Sequence, residues 1–217
     1  MNQMTKEIKK DDQPQAPATS EKKKSKKRWI VTGCVAAAFL LGAGGTAGVM
    51  SLHGHGHGHE DRIEARQLSK AKVSSIKVDQ QKAIDQFNQK YAGKQISAVK
   101  LEVDHGKYVY EVKGFDGKYE YEVEINAQTG KQIKAEREKL DQGEKEYALD
   151  PAKAISRDEA SSIAEKAAKK GQAREWKLTQ ESKGQAVWKV KVADGSKVKK
   201  VTIDAATKKV LKTEVDH

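Results

Sequence analysis

Hydrophobic and polar residues are distributed very unevenly along this chain. Between Trp29 and Leu52, in "WIVTGCVAAAFLLGAGGTAGVMSL", 24 consecutive residues carry no charge. As a helix this run would be about 36 Å long, enough for a bilayer core of about 30 Å. From about Ser75 the pattern becomes helical: "VDQQKAIDQFNQKYAG" places Ile84, Phe87 and Tyr91 on one face, and Gly93 suits a helix C-terminus. Strand-like alternation follows. In "AVKLEVDHGKYVYEV", Val99, Leu101 and Val103 alternate with polar residues, Asp104 to Gly106 turns the chain, and Tyr108, Tyr110 and Val112 alternate on the return. "GFDGK" is a second turn, and "YEYEVEI" sets Tyr119, Tyr121, Val123 and Ile125 against Glu120, Glu122 and Glu124. The expected product is a half-buried antiparallel sheet whose last turn, "NAQTGK", leads into "QIKAE".

The order then recurs. "ISRDEASSIAEKAAKKG" predicts a helix capped by Ser156, with Glu159 completing a capping box, and "EWKLTQ", "GQAVWKVKVADGSK", "KVTIDAATKK" and "VLKTE" follow as strands and turns. A single offset of 78 residues superposes Gly106 on Gly184, Tyr110 on Trp188, Asp116 on Asp194 and Ile125 to Ala127 on Ile203 to Ala205. The chain is therefore a tandem repeat. The copies differ in charge, because Glu120, Glu122 and Glu124 correspond to Val198, Lys200 and Thr202, while Tyr119 and Tyr121 correspond to Lys197 and Lys199.

A helix followed by an antiparallel hairpin, closing with "YEVEINAQTGKQIKAE" and again with "KVTIDAATKKVLKTE", resembles the PepSY domain. The second copy departs from the pattern in having Lys208 where Gly130 stands. The resemblance implies small α+β modules of one helix packed on an antiparallel sheet, found in bacterial envelope proteins and in propeptides of thermolysin-type peptidases, where they inhibit, chaperone or otherwise regulate proteolysis. It carries no catalytic residue set over to this chain.

The expected organisation is a disordered basic cytoplasmic tail over 1–28, a transmembrane signal anchor over 29–52, and a His/Gly-rich extracellular linker over 53–72. A PepSY-like domain over 73–138, a linker over 139–151 and a second PepSY-like domain over 152–217 complete it. "KKKSKKR" before the apolar run orients it with the N-terminus inside and the C-terminal domains outside the cell. Val31 to Cys34 resembles a lipobox, but only five uncharged residues precede the cysteine and a long apolar run follows, so an intact anchor is the expectation. Cys34 is the single cysteine, so the exported domains fold without disulfides.

Charge and chemistry narrow the functions. The net charge is +11, and the first 28 residues supply +5 of it. No HExxH, phosphate-binding glycine loop or G-x-S-x-G occurs, so no catalytic residues are expected and the protein is read as a non-enzyme. The one metal-like pattern is "SLHGHGHGHEDR". His53, His55, His57 and His59 would lie about 6.5–7 Å apart in an extended chain, too far to share one ion with bonds near 2 Å, so weak Zn, Ni or Cu binding requires the joint to curl. No tightly held cofactor is expected. The partners expected are the membrane and an extracellular peptidase, and nucleic acid is not among them. The leading function is a membrane-anchored surface binding module that regulates or inhibits a peptidase; binding of an anionic cell-envelope polymer, or a metal or proton response through the histidines, are the alternatives.

Overall fold

The computed structural model describes residues 57–140, 145–195 and 197–215, the first seven by backbone alone. Each repeat folds as the alternation predicts. Helix α2 (Gln80–Lys90) precedes β1 (Gln95–Asp104), β2 (Lys107–Phe115), β3 (Tyr119–Asn126) and β4 (Gln132–Lys139). Helix α3 (Arg157–Ala168) precedes β5 (Gln172–Ser182), β6 (Gln185–Asp194), β7 (Lys197–Asp204) and β8 (Val210–Val215). The helices start at side-chain caps, where Asp79 accepts from the amide of Lys82 and Ser156 from that of Glu159. An additional helix, α1 (His57–Lys70), occupies part of the stretch expected as a linker.

The eight strands form one antiparallel sheet in the order β4-β3-β2-β1-β5-β6-β7-β8. Pairing of β1 with β5 joins the two repeats edge to edge, with Val99 opposite Leu178, Lys100 opposite Lys177 and Leu101 opposite Trp176. Leu101 pairs with Tyr110 just as Leu178 pairs with Trp188, so Leu101 and Leu178 are equivalent residues. By the same reasoning Lys100 is equivalent to Lys177. The repeats are therefore related by a pseudo-twofold axis passing between these two lysines. The constant offset of 78 holds for the later strands, whereas along β5 and at the helix caps it is 77; the register shift between Gln180 and Ser182 absorbs the extra residue, Glu181.

Helices α2 and α3 cover one face of this sheet, and a continuous core runs beneath both. Ala83, Ile84 and Phe87 pack over Val112, Val123 and Ile125; Ala160, Ala164 and Ala168 pack over Val190, Val201 and Ile203. Large and small residues trade places between the copies. Phe87 is equivalent to Ala164, and the residue beneath changes in compensation from Gly114 to Val192. Equivalent buried hydrogen bonds recur, from the Tyr110 hydroxyl to the Val78 carbonyl (3.1 Å) and from Trp188 Nε1 to the Ile155 carbonyl (3.0 Å). The start of α3 also reaches the first repeat, where the Arg157 guanidinium contacts the Tyr110 hydroxyl at 3.5 Å and lies over the Trp176 ring.

The β7–β8 turn shows what replaced the missing glycine. Asn126 and Asp204 each cap their turn through Oδ1, and Lys208 occupies a left-handed conformation (φ 67°) like that of Gly130 (φ 71°). A Cβ is strained there, although the Lys208 ammonium gains an ion pair with Glu159 at 2.6 Å. Lys208→Gly is therefore expected to stabilise the protein by about 0.5–1 kcal/mol in urea unfolding. A neutral or destabilising result would show that the ion pair outweighs the strain.

Candidate functional site

Strand alternation places a second set of residues on the face of the sheet away from α2 and α3. One row crosses it through paired positions: Lys134, Glu124, Glu111, Lys100, Lys177, Lys189, Thr202 and Lys212. In the first repeat this row is internally compensated. Lys134 lies within 3.6 Å of Glu122 and Glu124 and 2.8 Å from Glu136, and Lys113 lies 3.3 Å from Glu122. The glutamates of "YEYEVEI" are thus laced to lysines of the neighbouring strands and do not form an open acidic edge.

The two lysines on the axis sit in opposite electrostatic settings. Burial disfavours charge on Lys100, but Glu111 and Glu102, the latter at 2.5 Å, outweigh it and raise its pKa. Lys177 is pulled down to about 8, first by burial and then by Lys100, Lys113 and Lys189, with only Glu111 opposing among the leading influences. The repeat explains the contrast. Lys100 has Glu111 across the hairpin, whereas the equivalent position opposite Lys177 is Lys189, whose own partner at 2.6 Å is Glu181.

Toward β7 this face is covered by α1. Ala65 and Leu68 pack against Ala193 and Val198, the Ser69 hydroxyl donates to the Gly195 carbonyl, and Glu64 accepts from Lys191 at 2.5 Å. Lys191 is only 1% exposed, and on its other side lies Glu175 at 3.9 Å, itself 2% exposed. Glu175 accepts one hydrogen bond from the Val103 amide, while its second oxygen has no hydrogen-bond partner among the described residues. Burial pushes its pKa up to about 7 against the pull of Lys191. Alternation alone would assign Lys191 and Glu175 to water; it gives no sign that α1 lies over them.

Of the histidines expected to take metal, His53 and His55 lie outside the described residues. His57 and His59 fall in the first turn of α1, where only the backbone is described. Among the described residues no three His, Cys, Asp or Glu side chains converge on a point that could hold an ion. Also among them, no helix is long and apolar enough to cross a membrane; residues 29–52 lie outside that set.

The arrangement of one helix over four antiparallel strands, made twice, agrees with the family model for the peptidase propeptide and YPEB domain, PepSY, which matches residues 77–136 and 154–214. These segments make up more than half of the chain. The chain belongs to the PepSY family. As a PepSY protein it shares its fold with the crystal structure of a protein from Clostridium difficile 630 that is provisionally described as a lipoprotein. The two are 29% identical with a TM-score of 0.59, over 64% of this chain and 94% of the other. No curated protein matches the chain. The family is one of peptidase propeptide and regulatory domains.

Proposed function

We propose that this PepSY protein is a non-enzymatic binding module, held at the bacterial cell surface, that regulates or inhibits a peptidase. The observation that carries this reading is the duplicated family domain, because the family takes its description in part from peptidase propeptides. Residues 29–52 act as a single-pass anchor with the basic tail inside, a reading supported by the length of the uncharged run and by the six Lys and Arg residues that precede it. The solved relative, described provisionally as a lipoprotein, supports a surface location. Joining the copies through β1 and β5 makes one continuous eight-stranded platform, which suits recognition of a folded partner better than two separately tethered domains would.

The test is crosslinking of the full chain in cells, followed by assay of the captured peptidase with and without the purified full chain in detergent. Recovery of a surface peptidase whose turnover falls in proportion to added protein is the expected result. Capture of no peptidase in repeated crosslinking, or a captured peptidase indifferent to the protein, would overturn the reading.

A further inference from the structure

A cleft of about 260 Å³ opens beside the first repeat, where the end of α1, the short 3-10 turn Val73–Ser75 and the β1–β2 turn meet. Lys70, Lys72 and Lys107 line it together with Ser75, Gln128 and Tyr108, and no carboxylate does. None of these three lysines has an ion-pair partner among the described residues, in contrast to the laced lysines of the open face. Tyr108 is 3% exposed, and its buried hydroxyl has no hydrogen-bond partner among the described residues. Burial pushes its pKa up to about 12 against the pull of the neighbouring Arg174 guanidinium, so the hydroxyl keeps its proton. Arg174 adds a further cation nearby: it donates to the Ala71 carbonyl, between Lys70 and Lys72, and lies beside the Tyr108 hydroxyl.

The second repeat shows that the fold does not require this cluster. Lys72 precedes its 3-10 turn as Asp150 precedes the turn Pro151–Lys153, and Asp150 is neutralised by Lys153 at 3.1 Å. At the 78-residue offset, Gln185 stands for Lys107 and Ala206 for Gln128. The copies share backbone and core, yet the second does not carry the lysines that stand at positions 72 and 107 of the first. An anion in the cleft would meet three positive charges and no carboxylate.

We propose that this cleft binds a phosphate group, as free phosphate or as one unit of a glycerol-phosphate polymer. At about 260 Å³ it is roomy enough for a phosphate group or a glycerol-phosphate unit, and it lies just below the roughly 300 Å³ at which pockets begin to take drug-sized ligands. Several lysine point charges with hydroxyl and amide donors match an oxyanion that accepts from many directions, more than a planar carboxylate that favours a guanidinium fork. This inference stands apart from the peptidase reading and survives its failure.

The test is calorimetric titration of the full chain in detergent at low ionic strength, with inorganic phosphate, soluble poly(glycerol phosphate) and poly-glutamate as separate probes. Lys72→Asp combined with Lys107→Gln writes the second repeat's residues into the first and is expected to weaken phosphate binding by at least about tenfold. Lys183→Gln, at a lysine of the β5–β6 turn with no ion-pair partner among the described residues, should leave it within about twofold. Binding of the polymer more tightly per phosphate than the free ion assigns the polymer as source; equal or tighter binding of the free ion assigns phosphate itself. The proposal is overturned if neither phosphate probe binds, if poly-glutamate binds as well as the polymer, or if Lys183→Gln costs as much as the double variant. Should the double variant melt earlier than wild type, Lys107→Gln alone, in an exposed turn, is expected to weaken binding severalfold, and unchanged affinity would equally overturn the proposal.

Discussion

Gly114→Ala is expected to destabilise the protein by about 3 kcal/mol or more. A Cβ at this position would lie 2.4 Å from Cζ of Phe87 and 2.5 Å from the carbonyl oxygen of Gln95. Neither neighbour gives way easily. Phe87 is fully buried and packs edge-on against Tyr91, and Gln95 belongs to the strand paired with β2 at this point. The second repeat solves the same packing problem with Ala164 over Val192, so the two positions have changed as a pair. Removing Phe87 alone should cost about 3–5 kcal/mol through the cavity left behind, whereas Phe87→Ala with Gly114→Ala should cost clearly less than the sum of the single changes. Urea unfolding of the four proteins measures this, and a Gly114→Ala variant within about 0.5 kcal/mol of wild type would refute the account.

Glu175→Gln is expected to stabilise the protein in a strongly pH-dependent way. The Glu175 carboxyl has a folded pKa of about 7 against its ordinary 4.5, so the folded state binds its proton more tightly than the unfolded chain does. Its favourable contribution is fully present below about pH 4.5 and is lost as pH rises through 7. Glutamine imitates the protonated acid and still accepts from the Val103 amide, while Lys191 retains Glu64. Besides Lys191, the charged groups that act most strongly on Glu175 are Glu102, which raises its pKa, and Lys100, which lowers it; neither is changed by the substitution. The variant should therefore gain about 1–2 kcal/mol over wild type at pH 8 and almost nothing at pH 5. A difference that does not vary between these pH values would show that Glu175 does not titrate in this range.

Much of each repeat is legible in the sequence because its signals are local. Alternation in "KLEVDHGKYVYEV" yields the β1–β2 hairpin, the Ile84 and Phe87 spacing yields the buried face of α2, and Ser156 caps α3 as its position implies. The other half of that capping box takes a different form, since Glu159 pairs with Lys208, a residue 49 positions away that no local pattern could nominate. The junction of the repeats is hidden for a related reason. Val99, Leu101, Trp176 and Leu178 would alternate in the same manner whether β1 and β5 were free edges or partners, because alternation reports the faces of a strand and not what lies along its rim. Helix α1 escapes notice because "HGHEDRIEARQLSK" is mostly charged and polar; among its described side chains only Ala65 and Leu68 join the buried core, too few to establish a helical period. The phosphate cleft, likewise, combines residues from three separate turns and becomes visible only once the chain is folded.

Pairing between equivalent strands also fixes how many copies of the module can be assembled in this manner. An interface in which each partner offers the same edge is used up once two copies have met, so a third domain added to such a chain would find no β1-type edge left to accept it. What remains at the rims is β4, dense in charge with Lys134, Glu136, Arg137, Glu138 and Lys139, and β8, which leaves Val210, Leu211 and Val215 partly bare. Duplication has thus produced a self-terminating pair, in effect a homodimer written into one polypeptide, whose halves no longer depend on concentration to find each other and have been free to diverge in charge.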